Sequence, residues 1–346
     1  MPELEGVFAV CFFAFGAIIG SFLNVCIVRL PHGQSVVFPS SHCVSCKKPI
    51  AWHDNIPLIS YLLLGGRCRH CRQGISFRYF LVELITALSF LLFYLYFGLQ
   101  ILLLPYLIMM SGFIVATFVD FEHRIIPDEV SVGGAVVGVL LSVFIPQMHG
   151  QDVFWKGALW SIVGVVVGGG SIYLMGLLGN LIIPRSKRKI DNVLKEELLQ
   201  VMSPIAVDEF EGIWNELHRC GYIVIKADSA DVLDTFWQVK RAEDLIFGLE
   251  YSSMKKKVFK VLRMDTMGGG DVKLMAMVGA FLGWKLALLS FFLAPFFGAF
   301  YGIYEKLRTK QSTIAYGPFL VLGALLSLFY GDVMLRWIAR SYGINY

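Results

Sequence analysis

Long apolar segments alternate with short polar ones along almost the whole chain of 346 residues. Most of the apolar segments approach the roughly 20 residues that a helix needs to cross the hydrocarbon core of a bilayer. We predict about eight spans, and we expect helices because lipid offers the backbone no hydrogen-bond partners. The predicted spans are Val7–Val28, Tyr79–Leu99, Ile101–Val119, Val130–Ile145, Gly157–Ile183, Val272–Leu282, Lys285–Tyr304 and Ile314–Ile338.

Composition supports this prediction. Hydrophobic residues make up 56% of the chain, charged residues make up 16%, and the mean hydropathy is +0.66. A soluble domain is much less apolar than this. We therefore predict an all-α polytopic membrane protein whose spans contact the lipid bilayer. The net charge of +4 is too small to indicate binding to nucleic acid, and basic loops already account for it.

Basic residues predict the orientation of the spans, because short cytoplasmic loops are enriched in Lys and Arg. The basic clusters lie at Arg29–Arg78, Arg124, Arg185–Lys189 and Lys306–Lys310. These loops all fall on one side of the predicted membrane, which we take as the cytoplasmic side, although Arg336 and Arg340 run against the rule. The start of the chain lacks a basic segment, so we expect Val7–Val28 to be a retained span and not a cleaved signal peptide.

Four of the seven cysteines form two C-x-x-C pairs within the first predicted cytoplasmic loop, residues 29–78. The pairs are Cys43 with Cys46 and Cys68 with Cys71, and 21 residues lie between them. Four thiolates at this spacing are typical of a tetrahedral structural zinc site that has no open position for water. Two disulfides are the alternative, which a reducing cytosol disfavours. We therefore predict a zinc-ribbon loop that holds structural Zn²⁺.

Asp120 follows the apolar run Ile101–Val119 at the border of a predicted span. A carboxylate at this depth is costly and is retained mainly for function. It also lies at the carboxyl end of a predicted helix, where the helix dipole disfavours negative charge. The alternative is a solvated loop acid. By contrast, Asp128 follows Pro127 and suits the first turn of the next helix, so we expect it to have a local structural role.

A second acidic residue, Asp271, follows three glycines and precedes another apolar run. The bare backbone of Gly268, Gly269 and Gly270 would let an extended substrate chain approach the carboxylate. The alternative is a flexible loop in which Asp271 only caps the following helix. Two aspartates that share one proton supply both a general base and a general acid. We therefore predict an intramembrane aspartic peptidase with catalytic residues Asp120 and Asp271.

A mixed-charge stretch from Pro184 to Arg263 separates the fifth span from the glycine segment. We predict a small α/β-like cytoplasmic insertion over residues 184–263. Amphipathic spacing favours helices over Val207–Cys220 and Asp234–Phe247, and Tyr222–Ile225 favours a short strand. A lid or spacer without chemistry is the expected role, and contact with the soluble part of the substrate or with assembly machinery is a hypothesis.

Taken together, these segments resemble the bacterial type IV prepilin peptidase family, also called type II secretion leader peptidases. The resemblance covers most of the chain, with the segments in the same order. Besides the cysteine pairs and Asp120, the shared segments are Gly20-Ser-Phe-Leu-Asn24, Arg29-Leu-Pro31, Trp52–Tyr61, Ile75–Tyr79 with Glu83, Ile126-Pro127-Asp128, Gly268–Leu274 and Tyr316–Leu320.

The resemblance implies an activity, a location and a domain division. It implies that Asp120 and Asp271 cleave the leader of a prepilin or pseudopilin, typically after a glycine, on the cytoplasmic side of the bacterial inner membrane. It implies methylation of the new N-terminal residue, usually phenylalanine, with S-adenosylmethionine, and we assign that activity to residues 1–100. A membrane peptidase domain over residues 101–346, interrupted by the insertion 184–263, would then follow.

Other classes of membrane protein remain open. An ion-coupled transporter also carries polar residues in glycine-interrupted helices, but it explains neither the cysteine pairs nor the position of both acids on one side. A non-enzymatic scaffold for pilus or secretion assembly would use the cysteine loop to recruit partners. A presenilin-class protease shares the glycine-aspartate element but lacks the cysteine pairs.

Overall fold

The computed structural model describes residues 2–182, 222–227, 258–263, 268–309 and 315–343, and these residues are mostly helical. The helices, numbered here in chain order, are α1 (Pro2–Arg29), α2 (Ile59–Leu63), α3 (Phe77–Phe97), α4 (Leu103–His123), α5 (Asp128–Phe144), α6 (Phe154–Ile182), α7 (Gly269–Thr309) and α8 (Gly317–Ser341). Short 3₁₀ turns occur at Leu30–His32, Trp52–Asp54 and Pro146–His149.

Six of the described helices, namely α1, α3, α4, α6, α7 and α8, are long and apolar enough to cross a membrane. Helix α5 is apolar but has only 17 residues. It corresponds to the predicted span Val130–Ile145. Helix α7 contains both predicted spans Val272–Leu282 and Lys285–Tyr304. A multi-pass membrane protein is therefore supported, while the number of eight spans stays a prediction.

Helix α7 is broken at Gly283, whose backbone has φ 77° and ψ 170°. A straight helix of 41 residues would be about 60 Å long, roughly twice the hydrocarbon thickness. At the break, a Cβ on Gly283 would lie 3.1 Å from Nδ1 of His149, so the position favours glycine in both conformation and space. The break divides α7 into a first limb, residues 269–282, and a second limb, residues 284–309.

The second limb runs back toward the end of the bundle at which the first limb begins. Gly298 on the second limb lies beside the ring of Tyr316, because an added Cβ would be 3.3 Å from that ring. Tyr316 in turn lies within electrostatic range of Asp271, at the start of the first limb. We call this end, at which α4 ends and α7 begins, the aspartate end.

Glycines allow the helices to approach closely at several interfaces. An added Cβ at Gly20 on α1 would be 2.7 Å from Cα of Glu83 on α3. On α5, an added Cβ at Gly138 would be 2.9 Å from Cβ of Ala280 on the first limb. On α6, Gly164 faces the backbone of the same limb at Gly279. Small residues at such positions are a common means of packing helices in membranes.

The chain forms two compact units, one of Met1–Tyr173 with Gly269–Tyr346 and one of Leu174–Gly268. Residues 1–100 belong to the first of these units, and the division at residue 100 stays a prediction. In the second unit, strands β1 (Tyr222–Ala227) and β2 (Val258–Arg263) pair in antiparallel register, with Tyr222 opposite Arg263.

The strand predicted at Tyr222–Ile225 is thus present as β1. The helices predicted at Val207–Cys220 and Asp234–Phe247 lie outside the described residues.

The contact between α6 and the first limb generates a stability prediction. Gly279→Ala should destabilise the protein, because the new Cβ would lie 1.9 Å from the carbonyl oxygen of Gly164, a backbone atom that cannot rotate away. Overpacking of this kind costs about 1–3 kcal/mol. We expect thermal unfolding of the detergent-purified protein to show a melting temperature several degrees lower.

Gly170→Ala on α6 is the matched control, because nothing lies within 4 Å of its added Cβ. Equal melting temperatures for the Gly279→Ala and Gly170→Ala variants would contradict the packing described here.

Candidate active site and metal-binding loop

Asp120 lies in the last turn of α4, as the sequence predicts, and its side chain is buried. The residue is only 5% exposed, and its Oδ2 accepts a hydrogen bond of 2.9 Å from the backbone N–H of Gly317. Helix α4 ends when Arg124 adopts a left-handed conformation with φ 55°. The alternative of a solvated loop acid is therefore wrong for Asp120.

Gly317 is held against Asp120 by space as well as by this hydrogen bond. A Cβ at Gly317 would lie 2.7 Å from Oδ2 of Asp120 and 3.2 Å from Cδ1 of Ile126. In the sequence, Tyr316–Leu320 is a shared segment with no predicted role. Its position beside Asp120 makes it part of the candidate site.

Asp271 is half-buried and is the third residue of α7, because the helix begins at Gly269, three residues before the predicted span Val272–Leu282. Gly270 therefore lies within the helix, where an added Cβ would be 3.2 Å from Cβ of Ile126. Gly268 and Gly269 are exposed, and nothing lies within 4 Å of a Cβ added to Gly269. Gly270 therefore packs against the protein, whereas Gly268 and Gly269 leave their backbone accessible to solvent.

The two acidic segments meet around Ile126. Its side chain borders Gly270, next to Asp271, and also borders Gly317, which binds Asp120. Burial, together with the negative charge of Asp271, raises the pKa of Tyr316 to about 12. Of the Tyr316-Gly317 pair, Gly317 therefore bonds Asp120, and Tyr316 lies within electrostatic range of Asp271. Two carboxylates at one membrane border can provide a general base and a general acid.

Lys273 and Asp128 connect the starts of α7 and α5. The Nζ of Lys273 donates hydrogen bonds of 2.6 and 2.8 Å to the two carboxylate oxygens of Asp128. Asp128 occupies the first turn of α5, as predicted, but its ion pair reaches a residue 145 positions away in the chain. Its role is therefore not purely local, because the pair ties α5 to the turn that carries Asp271.

The four paired cysteines form a compact cluster. All four sulfur atoms of Cys43, Cys46, Cys68 and Cys71 lie within 4.8 Å of one another, and the Sγ atoms of Cys43 and Cys71 are 3.8 Å apart. Tetrahedral Zn–S bonds of about 2.3 Å place sulfurs about 3.8 Å apart. The donor set and its spacing therefore fit a closed tetrahedral metal site.

The two cysteine pairs have the same local geometry. In the first turn, the N–H of Cys43 donates to Lys48 O; in the second, the N–H of Cys68 donates to Gln73 O. The backbone N–H groups of Cys46 and Ser45 lower the pKa of Cys43 to about 6. Because metal ligands must be thiolates, the backbone of the first turn favours Cys43 as a ligand for a cation.

The metal-binding loop, residues 29–78, is tied to the helices that flank it. Arg29, at the end of α1, donates hydrogen bonds to Ser35 O and Pro39 O, at 3.0 and 2.7 Å. At the other end, Arg78 forms an ion pair with Glu122. Glu122 lies two residues after Asp120, so this pair connects the start of α3 to the candidate active site.

A metal prediction follows from the cysteine cluster. The purified protein should contain about one zinc ion per chain by elemental analysis, because four thiolates close the coordination sphere. The double variant Cys68→Ser/Cys71→Ser should lose the metal and show a lower melting temperature. Cys11→Ser is the matched control, because Cys11 is an exposed cysteine outside the cluster. Equal zinc content in the control and the double variant would refute the assignment.

Comparison with known families gives two matches. Residues 14–97 match the Bacterial Peptidase A24 N-terminal domain, and this match includes all four clustered cysteines. Residues 235–303 match the Type IV leader peptidase family, and this match includes Gly268–Gly270 and Asp271. No solved structure matches the chain.

Curated relatives carry the corresponding names. A prepilin leader peptidase/N-methyltransferase from Aeromonas hydrophila is 26% identical over 95% of this chain and 93% of the relative. A relative of the same name from Myxococcus xanthus (strain DK1622) is 37% identical over 50% of this chain, and that alignment spans 56% of the relative.

A third relative aligns with this chain over most of its own length. It is a type 4 prepilin-like proteins leader peptide-processing enzyme from Escherichia coli O78:H11, which is 35% identical over 52% of this chain and 71% of the relative. These matches confirm the resemblance inferred from the sequence. The chain belongs to the type IV leader peptidase family.

Proposed function

We propose that this protein is a membrane aspartic endopeptidase that removes the leader of type IV prepilins or pseudopilins and then methylates the new N-terminal residue. The observation that carries the proposal is the meeting of two acidic segments around Ile126. There Asp120 is buried and bonded to Gly317, and Asp271 lies in the first turn of α7. The names of the relatives supply the substrate class and the second activity.

The peptidase chemistry requires the two aspartates to share one proton. Like-charge repulsion and partial burial favour a pair in which one carboxylate is ionised and the other is protonated. The ionised aspartate takes a proton from water, whose oxygen attacks the carbonyl carbon of the scissile bond. The protonated aspartate donates to the developing oxyanion. Collapse of the tetrahedral species then expels the amine with a proton from the pair.

Access for the substrate is provided by the glycine segment. Gly268 and Gly269 are exposed, so an extended leader can lie against bare backbone next to Asp271. The apolar helix of the substrate would pack among the spans and bring its cleavage bond to the membrane border. Basic loops next to both aspartates favour the cytoplasmic side of a bacterial inner membrane.

Methylation is assigned to the N-terminal part, residues 1–100, with S-adenosylmethionine as the methyl donor. The cysteine cluster would hold Zn²⁺ as a structural ion, since four thiolates leave no position for water or substrate. Its metal-binding loop is flanked by α1 and α3, so the ion would stabilise the part of the chain assigned to methyl transfer. By contrast, a transporter or a scaffold would not require the segments of Asp120 and Asp271 to meet around Ile126.

Substitution of the aspartates tests the peptidase. Asp120→Asn and Asp271→Asn should each lower the rate of leader cleavage by more than about 100-fold, because each removes one member of an acid-base pair without changing its size. Mass spectrometry of a synthetic prepilin incubated with purified protein measures the product.

The control for these variants is Asp152→Asn, at an exposed residue outside the described helices. Cleavage at the normal rate by either active-site variant would exclude that aspartate from catalysis. Absence of cleavage by folded wild-type protein, across several prepilins, would favour a transporter or scaffold.

The pair between Lys273 and Asp128 is proposed to position Asp271. The side chain of Lys273 is 43% exposed and that of Asp128 is 64% exposed, and such solvent-accessible pairs stabilise a protein by at most about 1 kcal/mol. Lys273→Met should therefore leave the melting temperature almost unchanged while lowering kcat about 10-fold or more, because small displacements of a catalytic group are costly. KM should change little.

Lys273→Arg retains the charge and should recover most of the lost kcat. If Lys273→Met instead raised KM without lowering kcat, the lysine would bind substrate and would not position the aspartate.

A further inference from the structure

A second group of buried polar residues lies between α1 and α3, separate from the two aspartates. Glu83 on α3 is 9% exposed, and Asn24 on α1 is 2% exposed. The hydroxyl of Ser21 interacts with the carboxylate of Glu83. We call these three residues the polar cluster. An ionisable residue inside a span is costly and is by default a candidate functional group.

The helices bring Asn24 and Glu83 to one interface. The close approach at Gly20 places α1 directly against Glu83. One turn further along α1, Nδ2 of Asn24 donates a hydrogen bond of 2.9 Å to the backbone oxygen of Tyr79, one turn before Glu83 on α3. Both polar side chains therefore belong to the same end of the contact between α1 and α3.

The metal-binding loop also contributes to the polar cluster. The backbone N–H of Leu58 donates a hydrogen bond of 2.7 Å to Oε2 of Glu83. Leu58 makes this bond in a strained conformation, with φ 63° and ψ −52°, which a leucine rarely adopts. Strain of this kind persists where the surrounding structure imposes it and is concentrated at functional sites.

The cluster offers one hydrogen-bond acceptor that has no partner within the protein, beside a carboxylate. The Oδ1 atom of Asn24 is buried and has no hydrogen-bond partner. Within the part of the chain that the structure describes, Glu83 forms no ion pair. An unpaired amide oxygen and an unneutralised carboxylate together suit a small cation that donates hydrogen bonds, and a primary ammonium group has this chemistry.

The cluster lies close to the candidate peptidase site. Arg78 bonds Glu122 near Asp120, and Glu83 lies five residues further along α3, which corresponds to a rise of about 8 Å. Cleavage of a leader creates one new primary ammonium group, at the N-terminus of the shortened substrate. A short movement of that end would bring it from the aspartates to the polar cluster.

We propose that Glu83 and Asn24 bind this new α-ammonium group and hold it for methyl transfer. The inference rests on the proposed function. Glu83 accepts one proton from the ammonium group, and the freed nitrogen lone pair attacks the methyl carbon of S-adenosylmethionine. An N–C bond forms and the C–S bond breaks. The sulfur keeps that electron pair and leaves as the neutral thioether, and the product is a secondary ammonium group.

The test uses the full-length protein in detergent and two synthetic peptides with the sequence of a mature pilin N-terminus. One peptide has a free α-amino group and the other is N-acetylated. Wild-type protein should bind the free-amine peptide at least about 10-fold more tightly, since hydrogen bonds to charged groups are strong. Glu83→Gln should lose this preference and should methylate at least about 10-fold more slowly. Its rate of leader cleavage and its zinc content should be unchanged.

Thr86→Val is the matched control, because Thr86 is fully buried on the same helix and its hydroxyl donates to the backbone oxygen of Val82. This variant should keep the preference for the free amine and the methylation rate. If Glu83→Gln also kept both, the proposal would be overturned.

A second variant addresses the case in which Glu83→Gln does not fold. Asn24→Leu removes the unpaired oxygen at nearly constant volume, and loss of the preference for the free amine would support the proposal, whereas its retention would overturn it. Because the peptides are already in the cleaved form, binding is measured even if no prepilin is cleaved. A wild-type protein that cleaves prepilins but binds both peptides equally would refute the ammonium site alone.

Discussion

The hydrogen bond from Gly317 to Asp120 is the contact on which the arrangement of the candidate active site depends. It joins the end of α4 to the start of α8 across 197 residues of sequence, and it leaves no room for a Cβ at Gly317. Ile126 fills the remaining space and contacts Gly270, beside Asp271. Three helices therefore converge at a border where carboxylates are costly, and the protein retains both of them there.

The break at Gly283 serves the same convergence. If α7 continued straight, its second limb would leave the bundle, and Gly298 could not reach Tyr316. Because the second limb runs back toward the start of α7, this helix contributes both Asp271 and Gly298, against which Tyr316 packs. Glycines on α5 and α6 let these helices pack closely against the first limb and fix its position. Contacts between apolar side chains alone would not fix it in lipid, because lipid tails are equally apolar.

The apolar runs, the paired cysteines and the positions of both aspartates at helix ends could be predicted from the sequence, because each is a local pattern. The partners of these residues could not. Lys273 meets Asp128 across 145 residues, and Gly317 reads in the sequence only as part of a short motif. Likewise, the sequence predicts this span only from Val272, because glycine has a poor helix propensity, whereas in the structure α7 begins at Gly269 and Gly270 packs against Ile126.

The metal-binding loop and the polar cluster are linked by the hydrogen bond from Leu58 to Glu83, and a bound metal would give the cysteines a role beyond local stability. Few residues of this loop are buried, so packing does little to fix its backbone, and Leu58 is held in a conformation that costs energy. A closed metal site would limit the freedom of residues 43–71, between which Leu58 lies, and so keep its N–H directed at Glu83. Metal binding would then fix the shape of the polar cluster without contributing a ligand to it.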